Sequence, residues 1–233
     1  MPFWFGGATN VMVVGSALEP GGRFALSEPE AWQRLNQELA AASILPEMAS
    51  TVAGLFLDPA QAKRPLALLA RAASDDQPPR VDRVEPKVVV LAVGGHDYVA
   101  TFDGNDLPGV FSARAALTAL HYGVLVGRRV LVVGAGVEAE GFMRRAELHA
   151  ELTQVPLQAL ERVKGNSKVT GAVVRHGNTS QSLEVDAVVI GGPRAPSFEL
   201  AVQARAQVEF RPPARYTPRD PAFSPEAGCV PAF

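Results

Sequence analysis

A chain of 233 residues is long enough for one large or two small domains with buried cores, and its 47% hydrophobic and 20% charged residues are those of an ordinary globular protein. A formal net charge of -2 removes the electrostatic case for nucleic acid or an anionic membrane as partner. The one cysteine, Cys229, excludes an internal disulfide and any multi-cysteine metal or iron–sulfur site, and makes a reducing cytoplasm the default location.

No stretch is apolar for long enough to cross a bilayer, and the opening Met1-Pro-Phe-Trp-Phe-Gly-Gly7 lacks the basic region and apolar core of a signal peptide. Residues 11–14, Val-Met-Val-Val, read as a short strand, with Glu19-Pro-Gly21-Gly22 as the loop that breaks the chain after it. A helix is expected over residues 27–42: Ser27 is placed to cap it, Pro29 suits the first turn, and Trp32, Leu35 and Leu39 recur at helical spacing. Residues 47–58 read as a strand interrupted by Gly54. Residues 66–73 read as the second strand of a pair or a helical turn, and residues 74–86, with their acids and prolines, as an exposed connection.

Residues 87–95, Lys-Val-Val-Val-Leu-Ala-Val-Gly-Gly, are expected to re-enter the interior as a strand closed by Gly94 and Gly95. A turn-rich loop follows over residues 96–109, then a helix over 111–122 with Ser112 at its start and Gly123 as its stop. Four apolar residues, Val130 to Val133, bounded by a basic pair and by glycines, have the pattern of a strand buried on both faces of a parallel sheet. Behind them stands Gly134-Ala-Gly136-Val137-Glu-Ala139, the G-x-G-x-x-A form of the dinucleotide fingerprint. Gly134 permits the tight turn, Gly136 lets a pyrophosphate approach the backbone, and Ala139 lets helix and strand pack closely. The free N–H groups of the helix start would hold the phosphates.

After that turn, residues 138–152 read as a partly amphipathic helix, residues 155–160 and 168–175 as short strands, and His176-Gly-Asn178 as a hairpin turn. Asp186-Ala-Val-Val-Ile-Gly191-Gly192 repeats the theme of an apolar strand closed by two glycines. Past Phe210 the proline-rich tail is expected to run extended along a surface or a partner. The four histidines, His96, His121, His149 and His176, are dispersed without metal-ligand spacing, so no metal site is expected. Asp103, Asn105 and Asp106 suit turn formation better than cation binding. No G-x-S-x-G elbow or Ser/His/acid set points to acyl transfer.

The order of these motifs resembles a family: Glu-Pro-Gly21-Gly22, then Val-Gly94-Gly95-His96-Asp97, then Phe102-Asp-Gly-Asn-Asp-Leu-Pro-Gly109-Val, a helix, and the central turn. The series is similar to the FAD/NAD(P)-binding subunits of heteromeric amine and imino-acid oxidoreductases, namely the sarcosine oxidase alpha subunit, the hydrogen cyanide synthase B subunit, the opine oxidase A subunit and dye-linked proline dehydrogenases. That resemblance implies an α/β fold in which a Rossmann-like dinucleotide-binding domain is inserted in a partial FAD-type α/β domain. The corresponding division is 1–109 for the partial FAD-like region, 110–195 for the NAD(P)-like region and 196–233 for the tail. Implied cofactor contacts fall at Gly21, Gly22, Gly94, Gly95, Gly134, Gly136, Val137, Ala139, Gly191 and Gly192, and His96-Asp97 stands where the family places a polar pair beside the cofactor.

The departures from that pattern shape the functional expectation. No G-x-G-x-x-G precedes Val11, Val14 is followed by Gly15 where an acid would hold the ribose hydroxyls, and no strand after Ala139 visibly ends in Asp or Glu. Glu138 faces the phosphate position, where a carboxylate opposes an anion. The resemblance therefore implies a subunit of a flavin- and nicotinamide-linked oxidoreductase complex acting on C–N bonds, a hetero-oligomer that holds FAD or NAD(P) with a partner chain. The alternative is a non-catalytic structural or interaction subunit that has lost its cofactor.

Overall fold

The computed structural model describes residues 11–16, 22–58, 64–74 and 76–205. In chain order the elements are helices α1 (Gly22–Ser27) and α2 (Pro29–Ala41), then strands β1 (Ser50–Asp58), β2 (Arg64–Arg71), β3 (Arg80–Val84), β4 (Gly95–His96) and β5 (Val110–Ser112). Helix α3 (Ala113–His121), strand β6 (Arg129–Val133), helix α4 (Val137–Ala146) and strand β7 (Glu151–Val155) follow. The remainder is β8 (Leu160–Gly165), β9 (Val169–His176), β10 (Thr179–Leu183), β11 (Ala187–Ile190), β12 (Ala195–Pro196) and α5 (Glu199–Gln203). These elements make two compact units. One takes the described parts of Met1–Ala25, Pro29–Leu91 and Glu199–Gln207, and the other takes Leu26–Glu28 and Ala92–Phe198.

The second unit is built on a four-stranded sheet in the order β5-β11-β6-β7, every neighbouring pair parallel. Its central strands are apolar at every position after Arg129 because both faces are covered. Leu131, Val133, Val188 and Ile190 face the β8–β10 meander, packing with Val163, Val169, Ala172 and Val174. Their alternating neighbours Val130, Val132, Ala187 and Val189 face helices α3 and α4, packing with Ala116, Leu117, Phe142 and Ala146. A two-residue period along each strand thus serves two different layers. The result is an α/β fold with the dinucleotide-binding arrangement of parallel strands and helices.

The first unit contains the antiparallel sheet β1-β2-β3. Its register shifts between Val52 and Gly54, so the expected glycine interruption is a bulge. Leu55, Ala67 and Ala204 form its buried centre, with Leu200 packed against them, and the Leu55 amide donates to Gln203 Oε1 at 3.0 Å.

Several expectations require correction. Residues 11–14 are no strand: Val14 makes only an isolated bridge to Glu47. Ser27 is buried and ends a short helix, α1, that the sequence did not announce, and α2 begins two residues later at Pro29. The connection over 74–86 contains strand β3, whose polar Arg-Val-Asp-Arg-Val pattern suits an edge and gives no apolar signal.

Residues 87–95 hold no strand before the two-residue β4. Val88 is 78% and Val90 85% exposed, while Val89 packs against the first unit's core, and none of the described strands pairs with residues 87–94 to bury an apolar run. The fingerprint helix ends at Ala146 rather than continuing to Leu152, which belongs to β7, and residues 157–159 form a short 3-10 turn. The pairing of Glu151–Val155 with the buried β6 outweighs the helical pattern of those residues. Gly21 and the proline-rich tail past Phe210 lie outside the described residues.

Candidate functional site

Strand β6 runs out of its buried ladder at Val133, and the chain must turn at once to start α4. Gly134 makes that turn at φ +85, and a Cβ there would lie 2.1 Å from the Gly191 carbonyl oxygen. The turn is clamped from both sides. The Gly134 amide donates to Val155 O at 2.8 Å, Gln154 Nε2 donates to Gly134 O at 3.0 Å, and the Gly191 amide donates to Val133 O at 2.8 Å. Gly191 in turn lies so near Ala139 that a Cβ on it would come within 2.9 Å of the Ala139 Cβ.

Gly136 caps α4 at φ 131 and ψ 164, and none of the other described residues has an atom within 4 Å of where its Cβ would be. Its carbonyl accepts the first intrahelical bond, from Glu140 N at 2.9 Å. The amides of the first helical turn therefore have no intrahelical acceptors, and the macrodipole makes that end electropositive. The turn also stands where the strand order reverses: from β6 the chain passes by α4 to β7 on one side and returns through β11 on the other. In open parallel sheets, the crevice at such a point is where ligands bind.

A shallow depression, open to solvent, lies over this edge of the sheet, bordered by Gly136, Glu138 and Ala139 of the turn and by Gly191, Gly192 and Arg194 beyond β11. Its far side carries Asp97, Ser112 and Arg114. Ser112 ends β5 and caps α3, accepting from Ala115 N at 3.1 Å, while its hydroxyl donates to Asp97 Oδ2 at 2.7 Å. Arg114 pairs with the same carboxylate and donates to Gly95 O at 2.7 Å. Across the pocket Glu138 pairs with Arg194, with side chains 12% and 36% exposed. Two carboxylates and two guanidinium groups thus line the pocket in matched pairs, beside two helix N-termini.

Of the residues singled out from sequence, Gly136, Ala139, Gly191 and Gly192 border this pocket, with Gly134 and Val137 adjoining them in the same turn. Gly95 reaches it through its carbonyl bond to Arg114, and Gly94, at φ 71, instead accepts from Ser197 N at 3.0 Å. Gly22 opens α1 in the other unit. Asp97 of the His96-Asp97 pair lines the pocket, whereas His96 Nε2 lies 3.5 Å from Ser197 Oγ. Asp103 makes an isolated bridge to Arg162, its carbonyl accepting from Val163 N at 2.8 Å, and in the turn that follows Asn105 Nδ2 donates to Ala100 O at 3.1 Å.

Ser112, Arg114 and Arg194 were not legible as site residues, because their partners are 15, 17 and 56 positions away and no period links them. The one signal was Arg194 following so soon after the Gly191-Gly192 stop. Strand β7 ends in Gln154-Val155 and is followed by Pro156, so no acid stands at the position that would bind ribose hydroxyls.

No known protein-family profile matches the chain. It is 31% identical over 122 residues to the sarcosine oxidase subunit alpha of Corynebacterium sp. (strain P-1), a match covering 48% of this chain and 12% of that protein. The fold is similar to that of the L-proline dehydrogenase from P. horikoshii, with a TM-score of 0.67 and 24% identity over 87% of this chain and 41% of the other. It is also similar to a chain of the covalent putidaredoxin reductase–putidaredoxin complex, with a TM-score of 0.54 and 17% identity over 86% and 56% of the two chains. The fold is that of the FAD/NAD(P)-binding oxidoreductases. This chain spans about an eighth of the length of the curated relative and under half of the proline dehydrogenase. Among the described residues, no helix is long and apolar enough to cross a membrane.

Proposed function

We propose that the chain is a cytoplasmic, dinucleotide-binding subunit of a flavin- and nicotinamide-linked oxidoreductase complex that acts on C–N bonds of amines or imino acids. The observation that carries the reading is the open backbone at Gly136: a glycine cap with none of the described residues over it, at the start of α4, at the strand-order reversal of a parallel sheet. A pyrophosphate fits the residues present. The amides of Val137 to Ala139 are its donors, Arg194 is the nearby cation, and Gly191 and Ala139 allow the close helix–strand packing that brings those amides to the edge.

When bound, the cofactor supplies hydride chemistry. The chain's own contribution is to bind and orient. Gly134 and Gly136 aim the helix start, Ser112 and Arg114 fix Asp97 across the pocket, and the matched charges leave no unpaired carboxylate against the ligand. The choice of C–N bonds rests on the names of two similar proteins, a sarcosine oxidase subunit and a proline dehydrogenase, and on the motif order. A partner chain rests on the likeness of the motif order to subunits of heteromeric oxidoreductases.

A second reading, a structural subunit with a degenerate site, is favoured by the missing acid at the end of β7. The two are separated by purifying the chain alone and together with the products of neighbouring genes, recording the flavin absorption spectrum, and titrating each preparation with NAD+, NADP+ and FAD. Flavin colour or saturable nucleotide binding in either preparation supports the first reading. Blank spectra and flat titrations in both sink it.

A further inference from the structure

Glu138 is the second residue of α4, inside the pocket that Gly136 opens, and it is mostly buried against Arg194 from the segment after β11. A carboxylate is favoured at a helix N-terminus for the same reason that a phosphate is. With Asp97 and Arg114 opposite, the pocket's four charged side chains cancel, so it offers an incoming anion no net positive charge beyond the helix ends. A pyrophosphate entering here meets a resident anion, and the nearest guanidinium is already engaged by it.

From this juxtaposition we propose that Glu138 is an internal competitor for the phosphate position and that Arg194 exchanges between the Glu138 carboxylate and the phosphates of a pyrophosphate-bearing dinucleotide. The pair sets the affinity of the site: ligand binds only as far as its two phosphate charges outbid one carboxylate for Arg194. Loss of the Glu138 charge strengthens binding by two routes, removing repulsion and releasing the cation. Loss of Arg194 weakens it by two routes, leaving Glu138 unpaired and removing the phosphate's partner.

This inference rests on the proposed phosphate site, and one calorimetric series distinguishes the failure of either. Wild type, Glu138→Gln, Glu138→Ala, Arg194→Gln and the double variant Glu138→Gln/Arg194→Gln are titrated at fixed ionic strength with NAD+ and with inorganic pyrophosphate. Thermal melting of each without ligand confirms the fold. The expected result is at least tenfold tighter binding for both Glu138 variants, at least tenfold weaker binding for Arg194→Gln, and a double variant that falls back toward wild type. The second Glu138 variant guards against an effect of the new amide. If wild type binds and folded Glu138 variants bind no more tightly, the competitor role is overturned while the phosphate site stands. If no folded variant binds either probe, the phosphate site itself is overturned and the competitor role goes with it.

Discussion

At the scale of single residues, the two glycines of the central turn are required for different reasons, and substitution separates them. At Gly134 a methyl group would strike the Gly191 carbonyl, a backbone atom held in the sheet, and the left-handed φ adds its own strain. Gly134→Ala is expected to cost at least about 3 kcal/mol of unfolding free energy, read from the urea midpoint at constant slope. At Gly136 the methyl would meet none of the described residues, so the strain lies in the backbone conformation. Gly136→Ala should cost about 1–3 kcal/mol, yet it places a methyl group on the face where the proposed pyrophosphate would sit. Its melting temperature should fall less than that of Gly134→Ala, while its NAD+ titration flattens.

Packing between elements decides which parts of the fold the sequence displayed. Phe142 is fully buried between α4 and the sheet, and Phe142→Ala should destabilise the second unit by about 3–5 kcal/mol in urea unfolding. The meander on the opposite face is more polar on its outside, where Glu161 of β8 accepts from Arg175 Nε at 2.7 Å and from Ser180 Oγ at 2.9 Å. Those bonds, Arg175 first and Ser180 second, hold the Glu161 carboxyl below its ordinary value of 4.5. A lowered folded-state value means that this stabilisation is present above about pH 4.5 and is lost as the pH falls through the folded value. The site is exposed, so the effect is small. An NMR titration of the Glu161 carboxyl should show a depressed midpoint that rises toward the ordinary value in Arg175→Ala.

Among the strands that could be read in advance were β1 with its glycine interruption, β6 and β11, whose continuous apolar runs record burial on two faces, and the β9 hairpin marked by Gly177-Asn178. Helix α3 was legible from Ser112 and Gly123, each of which does what its position implied. By contrast β3 and β10 are mostly polar and exposed, so their ladders left no hydrophobic trace. The run over 87–95 failed in the opposite direction, since apolar composition marks a strand only where neighbours exist to pair with it. In the site, the glycines and Ala139 were visible because they obey a spacing. The pairs Asp97–Arg114 and Glu138–Arg194 were not, because the fold alone brings them together.

At the scale of the whole molecule, the second unit is, among the described residues, nearly one continuous stretch, Ala92–Phe198, to which Leu26–Glu28 is added from far away in sequence. That short segment is well fastened: Leu26 packs on the α3–α4 layer and Ser27 O accepts from Arg144 Nη2 at 2.7 Å. It also explains a glycine in the middle of a helix. A Cβ on Gly141 would sit 3.2 Å from Ser27 Cα and 3.4 Å from Leu117 Cδ2, so α4 gives up helix propensity to admit the segment. Both packed layers of the unit lie within 92–198, and a fragment of those residues should fold with a cooperative urea transition. In that fragment the Ser27 atoms that crowd the new methyl group are gone, and its near neighbour Leu117 Cδ2 is the movable end of a side chain. Gly141→Ala should therefore reverse sign. It destabilises the full chain, where the methyl group crowds the Ser27 backbone, and it stabilises the fragment by up to about 1 kcal/mol through helix propensity alone. Equal shifts of the urea midpoint in the two backgrounds would mean that Gly141 is not there for the segment at Ser27.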